Sequence, residues 1–363
     1  MNKNWKRWIA LGLTISCLGS AAVMAEGVQT KSYIVHADSY QLPYKGNEKA
    51  FNHHINPGYG SALALKDIKA DGTIEFYAIT DRGPNGDIPT YVKNGKKVSG
   101  KFFPTPENGN IVEKFAPGAG LPSILASRVP NRGSEGLTID ERGHIFALIQ
   151  SPLNVDGKTA KTSKYTRIVE LDPVTKETKM YAYPVDTGYK NTGAAKLGDI
   201  TSIGHGQFLM IEQGKQHGVM QNLIYKVDLN GATPVANNGD LEYGRLDGKL
   251  VPAKKELVLD LRANGWNIEK AEGLALLPDR RTIAVVNDND FGMDIAVQDA
   301  KAPSADISDY IYDSDKKVMI YNKDKSVHKV KLSLKKNAPS EQESQIWFFT
   351  LPKHCKTIDC THP

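Results

Sequence analysis

Two glutamates occupy the same local context in distant parts of the chain. Glu135 and Glu272 each stand directly before Gly-Leu at the start of an apolar run, while Asp81, Glu212 and Asp288 stand at or just beyond the ends of such runs. If the fold gathers these carboxylates, they repel one another unless protons or a cation intervene. Oxygen-rich clusters suit calcium or magnesium, which can neutralise a substrate phosphate. The alternative is structural, because acidic residues at strand ends also accept backbone hydrogen bonds.

The densest run of oxygen donors is Asp288-Asn289-Asp290-Phe291-Gly292. It departs from the EF-hand calcium loop, because its glycine comes one position early and no glutamate follows at the required spacing. Two interpretations stay open, a turn in which the side chains accept their own backbone N–H groups and a cation site that uses Asp288 or Asp290.

Basic residues accompany three of the acidic positions. Arg82 follows Asp81, Arg132 comes shortly before Glu135, and Lys270 comes shortly before Glu272. An arginine matches two oxygens of a phosphate or carboxylate, so these positions favour an anion-binding site. Each cation can instead pair with its neighbouring acid and only hold a loop in place.

Signatures of other enzyme classes are missing from the sequence. It contains no Gly-x-Ser-x-Gly nucleophile elbow, no P-loop, no dinucleotide fingerprint and no His-Glu-x-x-His motif. Ser134 lies in Gly133-Ser134-Glu135-Gly136, where the spacing is wrong for a nucleophile. The remaining chemistry is that of carboxylates, cations and bound metal.

A repeat explains how distant carboxylates can meet. One pattern recurs four times: a small or acidic residue, a glycine or apolar pair, a turn and a second apolar run. The second, third and fourth copies start at Glu135, Asp199 and Glu272, which are spaced 64 and 73 residues apart. Each copy predicts a β-hairpin. The four predicted hairpins are 60–63 with 76–81, 135–139 with 145–150, 199–203 with 208–212, and 272–276 with 283–288.

Further strand-like segments lie between the copies. Residues 167–173 with 178–183, residues 224–231, and residues 317–322 with 327–332 read as outer hairpins. Helical periodicity is confined to residues 122–128 and 294–300. Alternating inner and outer hairpins predict an all-β fold, a β-propeller of about six blades in a single domain spanning residues 26–363. An early strand near residues 32–42 is expected to pair with the last strand, which avoids an exposed edge.

The N-terminal residues 1–25 have the pattern of a signal peptide. Lys3, Lys6 and Arg7 precede an apolar stretch, and Val23-Met24-Ala25 forms a small-x-Ala cleavage site. The sequence therefore predicts export to the periplasm or the medium. Removing three basic residues lowers the formal net charge from +5 to +2. A net charge this small argues against nucleic-acid partners and against a membrane partner beyond the export signal. We expect a monomer that acts on a small anionic substrate.

Two of the three cysteines, Cys355 and Cys360, remain after such cleavage. In an oxidising compartment two thiols most simply form one disulfide, here closing a short loop. A small ring of this kind contributes on the order of 2 kcal/mol to stability. A redox or metal role for the pair is the alternative.

Several of these segments together resemble the phytase-like family, whose description is esterase-like activity of phytase. The matching pieces cover most of the predicted mature chain in order: 60–63, 77–85, 135–137, 169–172, 224–229, 270–276 and 284–292. The resemblance implies a propeller-type β-fold, an exported protein and recurrent carboxylates that serve the hydrolysis of phosphate esters.

Three functions follow from these observations. The first is a metal-assisted hydrolase of phosphate esters, acting on phytate or a phosphodiester. The second is a calcium-dependent lactonase or carboxylic ester hydrolase, and the third is an exported binding propeller without catalysis, since propellers support all three roles. For the first we assign catalytic roles to Glu135, Glu272 and Asp81, substrate binding to Arg82, Arg132 and Lys270, and a divalent cation, expected to be calcium, to Glu135, Glu212, Glu272, Asp288 and Asp290.

Overall fold

The structure is a computed structural model. It describes residues 27–35, 41–80, 83–93, 95–98, 100–104 and 121–352. The signal peptide predicted at 1–25, the pair Asp81 and Arg82, and Cys355 and Cys360 with their predicted disulfide lie outside the described residues. No helix in the described ranges is long and apolar enough to cross a membrane.

The described ranges are built from short strands. The strands of the first half are β1 (Gln29–Ile34), β2 (Leu42–Pro43), β3 (His54–Ile55), β4 (Ala62–Ile68), β5 (Ile74–Ile79), β6 (Gly86–Asp87), β7 (Thr90–Lys93), β8 (Lys96–Val98), β9 (Lys101–Phe102), β10 (Ser134–Ile139), β11 (Ile145–Ile149), β12 (Tyr165–Leu171) and β13 (Thr178–Pro184). The strands of the second half are β14 (Lys196–Gly204), β15 (Gln207–Gln216), β16 (Val219–Asp228), β17 (Lys254–Asp260), β18 (Gly273–Leu276), β19 (Thr282–Val286), β20 (Met293–Gln298), β21 (Tyr310–Asp313), β22 (Val318–Tyr321), β23 (Val327–His328), β24 (Lys331–Lys336) and β25 (Gln345–Thr350).

Helical structure in these ranges is limited to short 3₁₀ helices of three to five residues. They are Lys49–Phe51, Ser123–Ser127, Val155–Gly157, Thr192–Ala194, Arg262–Asn264, Asp290–Gly292, Ile307–Asp309 and Pro339–Glu341. The helical turn predicted at 122–128 is present at Ser123–Ser127. The helix predicted at 294–300 is wrong, because Met293–Gln298 is a strand paired antiparallel with Lys331–Lys336.

Three antiparallel four-stranded sheets form the main part of the fold. Their strand orders are β10-β11-β12-β13, β14-β15-β16-β17 and β18-β19-β25-β1. The four hairpins predicted from the repeat are all confirmed, as β4–β5, β10–β11, β14–β15 and β18–β19. The outer hairpin predicted at 167–183 is confirmed as β12–β13. Of the hairpin predicted at 317–322 with 327–332, β22 pairs with β23, but Lys331 and Leu332 belong to β24, which pairs with β20 instead.

The expected pairing of the chain's first and last strands is confirmed. β1 pairs antiparallel with β25, from Gln29 opposite Thr350 to Ile34 opposite Gln345. The strand lies earlier than the predicted 32–42. It completes the sheet that begins with β18, so one sheet contains both the N-terminal and the C-terminal described strands.

The first strands of these hairpins are neighbours in space. β14 contacts β10 on one side and β18 on the other, and β18 also contacts β4. Apolar residues alternate along the strands and pack between sheets, as in the contact of Phe146 with Phe208, whose ring centroids are 4.6 Å apart. The fold is thus all-β, with its sheets meeting through their first strands.

Candidate functional site

A cleft opens where the first strands of the sheets begin. Its inner cavity has a volume of about 220 Å³ and its outer cavity about 720 Å³. The inner cavity is lined by Asn85, Lys101, Pro130, Asn131, Arg132, Glu135, Gln150, Lys196, Lys270, Glu272, Asp288, Asp290 and Phe291. The outer cavity shares several of these residues and adds Gly86, Asp87, Gly100, Glu269, Asn289, Met293, Asp294, Asn337 and Glu341.

The structure brings Glu135 and Glu272 to one cavity because their strands approach closely. Glu135 lies in a β-bulge of β10, between the residues opposite Ile149 and Leu148, and a bulge redirects a side chain. The following glycine permits the approach: a Cβ on Gly136 would stand 2.7 Å from the backbone nitrogen of Ile200. In the fourth copy, a Cβ on Gly273 would stand 3.0 Å from the carbonyl carbon of Ala62. The repeated Glu-Gly pair therefore places an acid where two first strands meet.

The third copy of the repeat carries Asp199 at the equivalent position. Its carboxylate is buried and accepts the backbone N–H groups of Ile200 at 2.8 Å and Leu274 at 2.9 Å. Burial raises the pKa of Asp199 to about 7, against the lowering effect of N–H donors that include Leu63. Asp199 thus joins neighbouring first strands, which is the structural role left open for these acids.

Glu272 stands in a region crowded with negative charge. Burial raises the pKa of its carboxyl group to about 8, and the charges of Asp288 and Glu135 add to the shift while Lys270 and Lys196 oppose it. The predicted convergence of Glu135 and Glu272 is therefore present both in the cavity lining and in the electrostatics.

Lys270 holds the acidic turn that follows β19. Its ammonium donates to Asp288 Oδ2 at 3.2 Å and to both carboxylate oxygens of Asp290 at 2.6 Å. Burial disfavours the charged lysine, but the nearby carboxylates outweigh it and raise its pKa. The Asp290 N–H also donates to Asp288 Oδ1 at 2.9 Å. The turn interpretation of this segment is therefore present in the structure, with Lys270 as the cation beside it.

Arg132 reaches the inner cavity from the segment before β10. Its Nη1 donates to the Gly193 carbonyl oxygen. Burial lowers the pKa of Arg132, while the charge of Glu135 acts in the opposite direction. A half-buried guanidinium beside a carboxylate is suited to binding an anion.

Two lysines of the cleft were missed by the sequence interpretation. Lys101 forms an ion pair with Asp87 at 2.5 Å. The backbone of Lys196, at the start of β14, pairs with Gln213, whereas its ammonium forms no hydrogen bond or ion pair with the described residues and its charge acts on Glu272. A signal was available for Lys196, because it precedes Asp199 by three residues, as Arg132 precedes Glu135.

Glu212 lies apart from the cleft, on β15. Its carboxylate is fully buried; Oε1 accepts the N–H of Asp186 at 3.0 Å and the hydroxyl of Tyr189 at 3.1 Å. Oε2 accepts the hydroxyl of Tyr183 at 2.7 Å and the ammonium of Lys255 at 2.6 Å. Glu212 lines neither cavity, and both of its oxygens are occupied, so it is left out of the site proposed below.

The donor chemistry of the inner cavity fits a hard divalent cation. Within the described ranges, no three acidic, histidine or cysteine side chains are arranged around one ion position. Glu135 and Glu272, however, face one cavity and repel each other. Magnesium is commonly held by one or two carboxylates together with a substrate phosphate, and calcium also takes carboxylate oxygens. Two glutamates that face one cavity match the number of protein carboxylates that a cation bound together with a phosphate commonly uses.

Comparisons with known proteins agree with the resemblance noted in the sequence. Searches of curated proteins and of solved structures each found no significant match. The family model described as "Phytase-like: Esterase-like activity of phytase" matches residues 94–291, which is more than half of the chain and includes Glu135, Lys196, Lys270 and Glu272. The chain therefore belongs to the phytase-like family.

Proposed function

We propose that this protein hydrolyses phosphate esters in the cleft that contains Glu135 and Glu272. The observation that carries the proposal is the lining of the inner cavity, where two glutamates and the cations Arg132, Lys196 and Lys270 face one space of about 220 Å³. Family membership supports the reaction class. In the overall reaction a water oxygen bonds to phosphorus, the ester P–O bond breaks, and the released alcohol takes up a proton.

Each side chain has a defined role in this proposal. Arg132 and Lys196 bind the phosphoryl oxygens, whose negative charge these cations complement. The Lys270 ammonium is already bonded to Asp288 and Asp290, so its role in substrate binding stays a prediction from sequence. Asp288 and Asp290 hold the Lys270 ammonium at the cavity wall. The role of Asp81 and Arg82 as further catalytic and binding residues stays a prediction from sequence.

Glu135 and Glu272 would hold a divalent cation, calcium or magnesium. A cation at that position neutralises phosphate charge and polarises the phosphoryl oxygen when it is bound. The calcium expected from the sequence stays a prediction. The two glutamates also orient the attacking water by accepting its hydrogen bonds.

The test is phosphate release from a panel of esters, with and without chelator. We expect Glu135→Gln and Glu272→Gln to lower kcat/KM by about 100-fold or more, the range seen when one preorganised electrostatic group is removed. Glu177→Gln is a matched control, because Glu177 is exposed on the turn between β12 and β13. Full activity in both cleft variants, with unchanged unfolding midpoints, would contradict the proposal.

The same panel distinguishes the second candidate function. The family description includes esterase-like activity. Carboxylic esters and lactones therefore belong in the panel beside the phosphate esters. Turnover confined to carboxylic substrates assigns the cleft to carbonyl chemistry, and turnover of neither class leaves a binding protein.

We further propose that the scaffold is a β-propeller of about six blades. Three four-stranded sheets that meet through their first strands support this architecture. Export with loss of residues 1–25 is proposed from the sequence pattern alone, as are the monomeric state and the disulfide. N-terminal sequencing of the secreted or periplasmic protein, thiol titration and light scattering test these three points.

A further inference from the structure

We propose that the cleft is specific for the monophosphate ester of a neutral, hydroxyl-rich alcohol and discriminates against polyphosphorylated compounds. This inference rests on the proposed function and adds the substrate class. It would place a single phosphoryl group in the inner cavity and the alcohol in the outer cavity.

The charge of the inner cavity suits one phosphate. Its described lining has four carboxylates and four basic side chains, so it is formally neutral. One divalent cation held by Glu135 and Glu272 brings the charge to +2, which matches a phosphate dianion. A second phosphate has no comparable partner there.

The outer cavity has more acidic than basic side chains, and its basic ones, Lys101, Lys196 and Lys270, are shared with the inner cavity. The residues that line it alone include the carboxylates of Asp87, Glu269, Asp294 and Glu341 and, within the described ranges, no basic side chain. Asp294 is neutralised by Lys335 at 3.1 Å, whereas Asp87 pairs at 2.5 Å with Lys101, whose charge is already counted in the inner cavity.

Glu269 and Glu341 form no ion pair with the described residues. The backbone N–H of Glu269 donates to Glu341 Oε1 at 3.4 Å, so the two residues stand side by side. Further phosphates on a substrate would meet this negative charge and be repelled.

The outer lining instead suits hydroxyl groups. Carboxylates accept hydrogen bonds from hydroxyls, and amide side chains both donate and accept. Glu269 and Glu341 supply the acceptors, and Asn85, Asn131 and Asn337 supply the amides. A volume of about 720 Å³ is ample for a sugar or polyol.

The experiment compares a hexose 6-phosphate with inositol hexakisphosphate, using the full-length protein at matched free divalent cation. We expect kcat/KM to be about tenfold or more higher for the hexose phosphate. The preference should shrink as ionic strength rises, because salt screens repulsion between charges in an open cleft.

The double variant Glu269→Gln/Glu341→Gln tests the cause. It should lower the ratio of the two kcat/KM values by about fivefold or more, because it removes the two unpaired charges. The control Glu177→Gln should leave the ratio unchanged, since Glu177 stands outside both cavities.

The outcomes separate the two proposals. Phosphate release from neither compound, nor from an aryl phosphate, overturns the proposed function and this inference with it. Phosphate release with equal or better use of inositol hexakisphosphate overturns the inference alone. A ratio that the double variant does not change also overturns it, because the preference then has a different cause.

Discussion

The carboxylate of Asp199 on β14 accepts the backbone N–H of Leu274 on β18 at 2.9 Å. An acidic side chain of one repeat copy is therefore bonded to the first strand of the next. The same repeat position carries Glu135 and Glu272, whose carboxylates face the cavity instead. The same repeat position thus joins two strands in the copy that contains Asp199. In the copies that contain Glu135 and Glu272 it places a carboxylate in the candidate site.

Replacing Asp199 should weaken the joint between first strands. In Asp199→Asn one carboxyl oxygen becomes an amide NH₂ group, which cannot accept the backbone N–H that it faces in a buried site. We expect the free energy of unfolding at pH 5 to fall by about 1–3 kcal/mol, the cost of an unsatisfied buried polar group. Urea denaturation measures this change. A loss below about 0.5 kcal/mol would show that the bond to Leu274 is dispensable.

Asp199 also predicts a pH dependence of stability. Because burial raises its folded-state pKa to about 7, above the unfolded value of about 3.9, its contribution is complete below about pH 4 and is lost as the pH rises through 7. The difference in unfolding free energy between the protein and Asp199→Asn should therefore be larger at pH 4.5 than at pH 8. A difference that grows with pH would contradict this sign.

The glycine after Glu135 should be intolerant of a side chain. A Cβ in Gly136→Ala would stand 2.7 Å from the Ile200 nitrogen, so β10 and β14 must separate. We expect a loss of about 1–3 kcal/mol in the free energy of unfolding and lower activity per folded molecule. Gly133→Ala is the control, since its nearest neighbour is a side-chain atom of Arg128 at 3.6 Å. Equal stability of both variants would contradict the close-approach argument.

Lys196 should act on substrate binding rather than on folding. Its ammonium forms no ion pair with the described residues, so Lys196→Met removes a phosphate-binding cation and leaves no buried partner charge behind. We expect KM for phosphate esters to rise by about tenfold, with unfolding free energy changed by less than about 1 kcal/mol. Steady-state kinetics beside urea denaturation separates the two effects. An unchanged KM would remove Lys196 from the site.

The buried pair of Arg167 and Glu242 should be a major stability element away from the cleft. Arg167 donates from Nε and Nη2 to the two Glu242 oxygens, both at 2.7 Å, and both side chains are fully buried. Glu242→Gln leaves the guanidinium charge uncompensated, at a cost of about 3–5 kcal/mol. Arg245→Gln, which breaks the exposed pair with Asp240, should cost less than about 1 kcal/mol. Similar losses in the two variants would refute the distinction by burial.

The sequence predicted the local elements better than their long-range partners. The repeat predicted the hairpins and the convergence of Glu135 and Glu272 on one cavity. Both predictions use local patterns, the apolar alternation and the Glu-Gly pair. The apolar pattern around residues 294–300 was too short to distinguish a helix from a strand. The segment forms strand β20 because it pairs with β24, which lies more than 30 residues later in the chain.

Long-range partners also decide which carboxylates remain available. Both oxygens of Glu212 are occupied, by Lys255 and by the hydroxyls of Tyr183 and Tyr189. Those partners lie 23 to 43 residues away along the chain. Lys196, in contrast, could have been found from local sequence alone. It precedes Asp199 by three residues, as Arg132 precedes Glu135.

The pairing of β1 with β25 has a consequence for the order of folding. The outermost strand of the third sheet is synthesised first, while its hydrogen-bonding neighbour ends at Thr350. That sheet cannot assemble on the ribosome until the chain has emerged as far as Thr350. A nascent polypeptide therefore keeps an unfinished sheet edge until this late strand has been translated and can pair.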